Sequence, residues 1–266
     1  MDTDGQLPER DRCSAPTEGP EQRSRSVRST VAGWAVRWHG YGPWQQAGVL
    51  AALCVSFLLL LSAHVVQPFM IPSGSMENTL RVGDRVLVNK LAYRFGNKPR
   101  RGDVVVFDGT GSFVHGERPG GAVTGLLREA AAAVGLAEPA ETDYVKRVVG
   151  VGGDRVTCCD ERGRIKVNGV PLDEDYLSPG DSPSRVPFDI AVPQGRLWVM
   201  GDHRSDSSDS RDHLGEPGGG TVPLERVIGR ADWIGWPFGH WTSLSRPYGF
   251  DHLSDPSVPG AGGGHG

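Results

Sequence analysis

Three short stretches carry the residue types from which an acyl-transfer site can be built. Residues 70–80 read MIPSGSMENTL, with Ser73 and Ser75 flanking Gly74 just behind Pro72. A serine hydroxyl becomes a nucleophile once a base takes its proton, and a glycine beside it lets a substrate backbone approach. Alone, the stretch reads as a polar turn. Residues 143–153 read DYVKRVVGVGG. Strand alternation would place Tyr144, Lys146 and Val148 on one face, and Val145, Arg147 and Val149 on the other. A lysine in water, with a pKa near 10.4, is a poor base at neutral pH. Apolar neighbours favour the neutral amine and can lower that value by roughly 3 to 5 units. The rival reading is a lysine snorkelling at a sheet edge. Residues 199–214, VMGDHRSDSSDSRDHL, follow an apolar strand, and loops at strand ends commonly build active sites. Two other chemistries fit this loop in part. His203, His213 and the aspartates could ligate a metal, though without a known ligand spacing. His203 with Asp202 could serve a catalytic serine, though no G-x-S-x-G turn accompanies them.

The elements that must position these residues start with an apolar run. From Trp38 to Met76 the chain has no Asp, Glu, Lys or Arg, and residues 47–66 read AGVLAALCVSFLLLLSAHVV. That length crosses a hydrocarbon core of about 30 Å. The run is too long and starts too far in for a cleaved signal peptide, and it lacks the polar stripe of a soluble core helix. We expect a single transmembrane helix over 44–68. Arg23, Arg25, Arg28 and Arg37 precede it, whereas Glu77, Arg81, Asp84 and Arg85 mix signs beyond it. Positive charge stays inside, so the N-terminus is expected in the cytoplasm and everything from about Gln67 outside.

After the span, short Val/Ile-rich runs alternate with turn signals: RVLVNKL, DVVVFDG, YVKRVVG, DRVTCCD, RIKVNG, FDIAV, RLWVMGD and RVIGRADWI. With 38 Gly and 20 Pro in 266 residues, this spacing predicts a mainly β fold with an antiparallel sheet. The exception lies within 110–142, where AVTGLLREAAAAVGLAE has helix formers and an apolar stripe of Leu126, Ala130 and Val134. Residues 1–43 form a basic, Pro- and Ser-rich region whose first 30 residues or so carry almost nothing to bury, and 251–266 a flexible Gly-rich tail. With 28 basic against 32 acidic side chains, nothing marks a nucleic-acid partner. Cys13 and Cys54 stand apart, and the adjacent Cys158 and Cys159 leave two readings, a strained vicinal bridge or free thiols in a strand. Trp233, Trp236, Phe238 and Trp241 cluster in DWIGWPFGHW, suited either to a membrane interface or to a core.

Taken in order, the apolar helix, SGSM, GDRVLVNK, YVKRVVGVGGD and MGDHRSDSSDSR closely resemble the bacterial type I signal peptidases, over about residues 49–236. The resemblance implies a single N-terminal transmembrane helix followed by an antiparallel β catalytic domain over 69–250. Its core would be about 69–156 and 196–250, with a smaller β-rich subdomain inserted at about 157–195. It implies a membrane-bound serine endopeptidase that removes signal peptides from secretory preproteins after small residues at the −3 and −1 positions, without metal or organic cofactor. By the same match Ser75 is the nucleophile and Lys146 the base. Ser207 would hold the Lys146 amine, and Ser73 with the Ser75 N–H would form the oxyanion hole. Asp209 would pair with both Arg211 and Arg147. Ile71, Pro72, Met76, Leu80, Tyr144 and Val145 are the apolar candidates for shallow substrate pockets. Two departures stand out: His203 replaces a more usual Asn, and Asn78 a common Pro. The competing expectations are a self-cleaving Ser/Lys protease acting on a partner domain and a membrane-tethered β scaffold without chemistry.

Overall fold

The computed structural model describes residues 42–114 and 142–253. The helix expected within 110–142 lies outside the described residues over 115–141, as do most of both terminal regions. Helix α1 runs Pro43–His64. Proline at its first turn forfeits an N–H that would go unpaired anyway, and the Gly42 N–H donates to Gln45 Oε1 at 3.2 Å. Its 22 residues, at 1.5 Å each, span about 33 Å. Residues Pro43–Leu61 are long and apolar enough to cross a membrane. The helix stops four residues short of the expected boundary. Val65 and Val66 are β-branched and Pro68 lacks an N–H, so Val66–Met70 forms strand β1 instead. β1 is an edge strand, where a proline is tolerated.

Among the described residues the main sheet has eight strands. β1, β2 (Arg85–Asn89), β11 (Val227–Trp236), β3 (Val104–Asp108), β4 (Asp143–Val151), β9 (Arg196–Met200) and β10 (Val222–Pro223) lie side by side in that order, and β12 (Thr242–Ser243) pairs with β11. Every pairing between strands is antiparallel. A second sheet orders β7 (Val170–Pro171), β6 (Lys166–Val167), β5 (Arg155–Cys158) and β8 (Phe188–Ala191). It interrupts the chain between β4 and β9 and starts at Arg155, two residues before the expected boundary. At its outer end Cys158 and Cys159 are joined as a vicinal disulfide.

Three apolar clusters fix these strands. Phe69, Ile71, Met76, Leu80, Val86, Val88, Val104 and Ile234 pack on one face of the main sheet. Val105, Phe107, Val148, Leu197 and Val199 pack on the other. Val149, Trp198 and Met200 meet Val156, Ile165, Val167 and Phe188 of the second sheet. The crossing from β4 to β5 is held by Asp154, which is buried and accepts from Arg101 Nε at 2.7 Å and the Val151 N–H at 2.8 Å.

Candidate active site

Beyond β1 the chain remains tied to its neighbours: the Ile71 N–H donates to the Asp84 carbonyl and Gly83 donates back to Ile71. Ser73 is still extended, at φ −133 and ψ 159, before a 3-10 turn at Gly74–Met76. Ile71, Met76 and Leu80 are sunk in the core on either side, so three apolar anchors hold a polar turn in place. Ser75 is 9% exposed. The Ser73 hydroxyl donates to Ser75 Oγ at 3.3 Å. The Ser75 carbonyl accepts from the His203 backbone N–H at 3.1 Å. Gly201 makes that approach possible, since a Cβ there would stand 2.4 Å from the Ser75 carbonyl oxygen and 2.2 Å from Ser207 Oγ. Asn78 has φ +82, a region that proline cannot enter and asparagine tolerates. Its amide donates to the Tyr176 and Leu177 carbonyls, each at 3.0 Å. The departure from proline thus has a structural cause.

Lys146 lies mid-strand in β4 and is 3% exposed. Val105 stands directly opposite it and belongs to the same cluster as Val148 and Tyr144. The side chain is therefore buried in the sheet, and the edge-snorkelling alternative is excluded. Loss of hydration lowers its pKa to about 8, while the nearby Asp209 carboxylate pulls the other way. Asp209 is itself buried. Burial would raise its pKa, but hydrogen bonds from Arg211 and the Gly201 N–H, with the charges of Arg211 and Lys146, bring it below the usual carboxylate range. The Ser207 hydroxyl donates to Asp209 Oδ2 at 2.9 Å, which leaves its oxygen able to accept from an amine.

The expected three-membered ion group is two separate pairs. Asp209 binds Arg211 through Nε and Nη2 at 2.9 and 2.8 Å. Arg147 instead forks onto Asp202, with Nε at 2.8 Å and Nη2 at 2.6 Å. The register explains this. Arg147 pairs with Met200, and Asp202, two residues further on, continues that face, whereas Asp209 lies beneath Lys146 on the opposite one. Arg147 also donates to the Gly102 carbonyl and stacks 4.3 Å from the Tyr176 ring centroid.

The same contacts dispose of two alternatives for the loop. The Asp202 carboxylate is taken by Arg147 and the Thr79 hydroxyl, so it does not orient His203. His213 pairs with Glu216 at 2.9 Å and stacks on Phe113, while His203 lies against Gly74, so the two imidazoles do not converge on a metal. Thr79 and Gly201 escaped the sequence reading, although Gly201 follows an apolar strand inside the MGD stretch. Glu174 and Tyr176 also escaped it, because only the tertiary fold brings them to the loop. Glu174 forms a buried ion pair with Arg204, whose Nε donates to the Gly201 carbonyl at 2.9 Å. Among the pocket candidates, Ile71, Met76 and Leu80 are core with Val145 against them, and Pro72 is exposed. Tyr144 stands on the other face, stacked on Phe107.

The family described as "Signal peptidase, peptidase S26" matches residues 44–236. The chain is 41% identical over 219 residues to a Mycobacterium tuberculosis protein named signal peptidase I, covering 74% of each chain. It is 39% identical over 227 residues to a probable signal peptidase I of Mycobacterium leprae, covering 74% of this chain and 78% of that one. Against the signal peptidase I of Leptolyngbya laminosa identity is 36% over 199 residues, covering 73% and 81%. A serine turn, a buried low-pKa lysine and these matches agree: the chain belongs to the signal peptidase family, peptidase S26, a family of serine peptidase hydrolases that removes signal peptides.

Proposed function

We propose that the chain cleaves signal peptides from exported preproteins with Ser75 as nucleophile and Lys146 as general base. The observation that carries this reading is Lys146 itself. A lysine only 3% exposed, with its pKa brought to about 8 by desolvation, is a base near neutral pH. Ser75 Oγ attacks the scissile carbonyl carbon while neutral Lys146 takes its proton, and the Ser75 N–H and the Ser73 hydroxyl stabilise the oxyanion. Collapse breaks the C–N bond, and protonated Lys146 returns its proton to the leaving amine. Lys146 then activates the water that hydrolyses the ester. Ser207, fixed by its donation to Asp209, accepts from the Lys146 amine and sets its direction. Pro72 and Val145, with Ile71 and Met76 beneath them, line shallow pockets that admit small side chains at −1 and −3.

In this reading α1 anchors the chain in the cell membrane, with the N-terminus cytoplasmic and the β portion outside, where exported precursors emerge. The test is cleavage of a purified preprotein by the full chain in detergent. Lys146→Ala should lower kcat by about 10² to 10⁴-fold, the range for loss of a positioned general base, and Ser75→Ala, which removes the nucleophile, by about 10⁶-fold. Either variant cleaving at the parent rate would overturn the assignment.

A further inference from the structure

The third loop contributes a histidine that the dyad mechanism does not use. We propose that His203 is a positioning residue that orients the Ser75 N–H by gripping the other end of the same peptide group. This rests on the reading of Ser75 as nucleophile and oxyanion donor. The ring Nδ1 lies 3.3 Å from the Gly74 carbonyl oxygen. A carbonyl only accepts, so the ring donates there, from the Nδ1–H tautomer or from the imidazolium. The Gly74 C=O and the Ser75 N–H belong to one planar trans peptide, and the oxygen, which also accepts from the Glu77 backbone N–H at 2.9 Å, sets the direction of the N–H on the opposite side. A hydrogen bond to the carbonyl also polarises the amide and strengthens its N–H as a donor.

A second grip comes from the same residue, whose backbone N–H donates to the next carbonyl, that of Ser75, at 3.1 Å. His203 thereby holds two successive carbonyls of the nucleophile turn, one through its ring and one through its main chain. The carboxylates around it come from three segments. Glu77 Oε2 is 3.6 Å from Nδ1. Asp206 closes the His203 turn through its N–H and reaches the open side of Gly74. Asp181 accepts from the Ser205 N–H at 3.1 Å and interacts electrostatically with His203. Of these neighbours, the Gly74 carbonyl is the one to which the ring donor points.

A residue acting through the oxyanion donor affects the transition state more than substrate binding. Steady-state cleavage of a preprotein by the full chain should separate the roles, using His203→Phe, His203→Ala and His203→Asn with Ser75→Ala as reference. Losing one oxyanion donor outright costs about 10² to 10³-fold. A misaligned donor should cost less, so Phe and Ala should lower kcat roughly 5- to 30-fold with KM within about twofold. Asn, with an N–H of similar reach, should restore kcat to within about threefold of the parent. The proposal is overturned if Phe matches the parent, if Asn is as impaired as Ala, or if the loss appears in KM or follows a lower unfolding midpoint. Cleavage by Ser75→Ala at the parent rate would instead refute the nucleophile assignment, so the two failures are distinct.

Discussion

At Lys146 the role proposed for the amine opposes the requirements of folding. Burial holds the amine near a pKa of about 8 against 10.5 in water. The folded state therefore binds that proton more weakly than the unfolded chain. Wherever the unfolded lysine is charged, folding incurs a cost, which is complete below about pH 8. As pH rises the cost shrinks, and it is gone once the unfolded amine also deprotonates, above about 10.5. The difference corresponds to about 3 kcal/mol. Lys146→Met should therefore abolish cleavage yet raise stability at pH 6 by about 1 to 3 kcal/mol, the gain fading toward pH 10 and above. Urea unfolding of both proteins across pH measures this. A variant less stable at pH 6, or a gain that grows with pH, would show that Lys146 is not desolvated as described. On the proposed mechanism the same pKa makes the parent's kcat/KM rise with pH through about 8, because only the neutral amine can take the Ser75 proton.

On the element scale, β4 carries the proposed base on one face and a buried ion pair on the other. Arg147 and Asp202 are both almost wholly buried, so the cost of removing one partner outweighs the net value of the pair. Arg147→Met leaves the Asp202 carboxylate buried with the Thr79 hydroxyl as its remaining side-chain hydrogen bond and should cost about 3 to 5 kcal/mol. Adding Asp202→Leu removes the stranded charge and should recover most of that loss, measured by the same unfolding. A single variant costing under about 1 kcal/mol would mean that water reaches the pair. The sequence made the two faces legible, because alternation alone puts Lys146 and Arg147 on opposite sides. It could not identify the partner of Arg147, since Asp202 and Asp209 lie in one loop and only the β4–β9 register separates them. The eight Val/Ile-rich runs all contain strands, but the two-residue strands β7, β10 and β12 lie outside them and are too short to show a period. β1 was absorbed into the apolar helix for a related reason. Hydropathy does not distinguish the end of a span from a buried strand; Val65, Val66 and Pro68 do.

On the scale of the whole molecule, the aromatic cluster needs an explanation, because core packing does not provide one. Trp233, Trp236, Phe238 and Trp241 are 48%, 49%, 67% and 59% exposed. Trp236, Phe238 and Trp241 form one patch, with Phe238 4.8 Å from Trp236 and 5.9 Å from Trp241, ring centre to ring centre, and Trp233 is exposed on the same strand as Trp236. β11 and β12 hold it, with Trp233 opposite Ser243. Exposed tryptophans fit the headgroup layer of a bilayer, where an apolar ring and a polar N–H are both satisfied. Resting this patch on the bilayer would hold the site near the depth at which signal peptides lie. The prediction separates membrane-bound from free substrate. In reconstituted vesicles, Trp233→Ser, Trp236→Ser and Trp241→Ser together should lower kcat/KM for a membrane-inserted preprotein about tenfold or more, and leave a short soluble peptide within about twofold. Brominated lipids should quench the parent more than the triple variant, because its patch rings reach the acyl region. Equal loss on both substrates would mean that the patch supports the fold, and loss on neither would remove it from any part in substrate delivery.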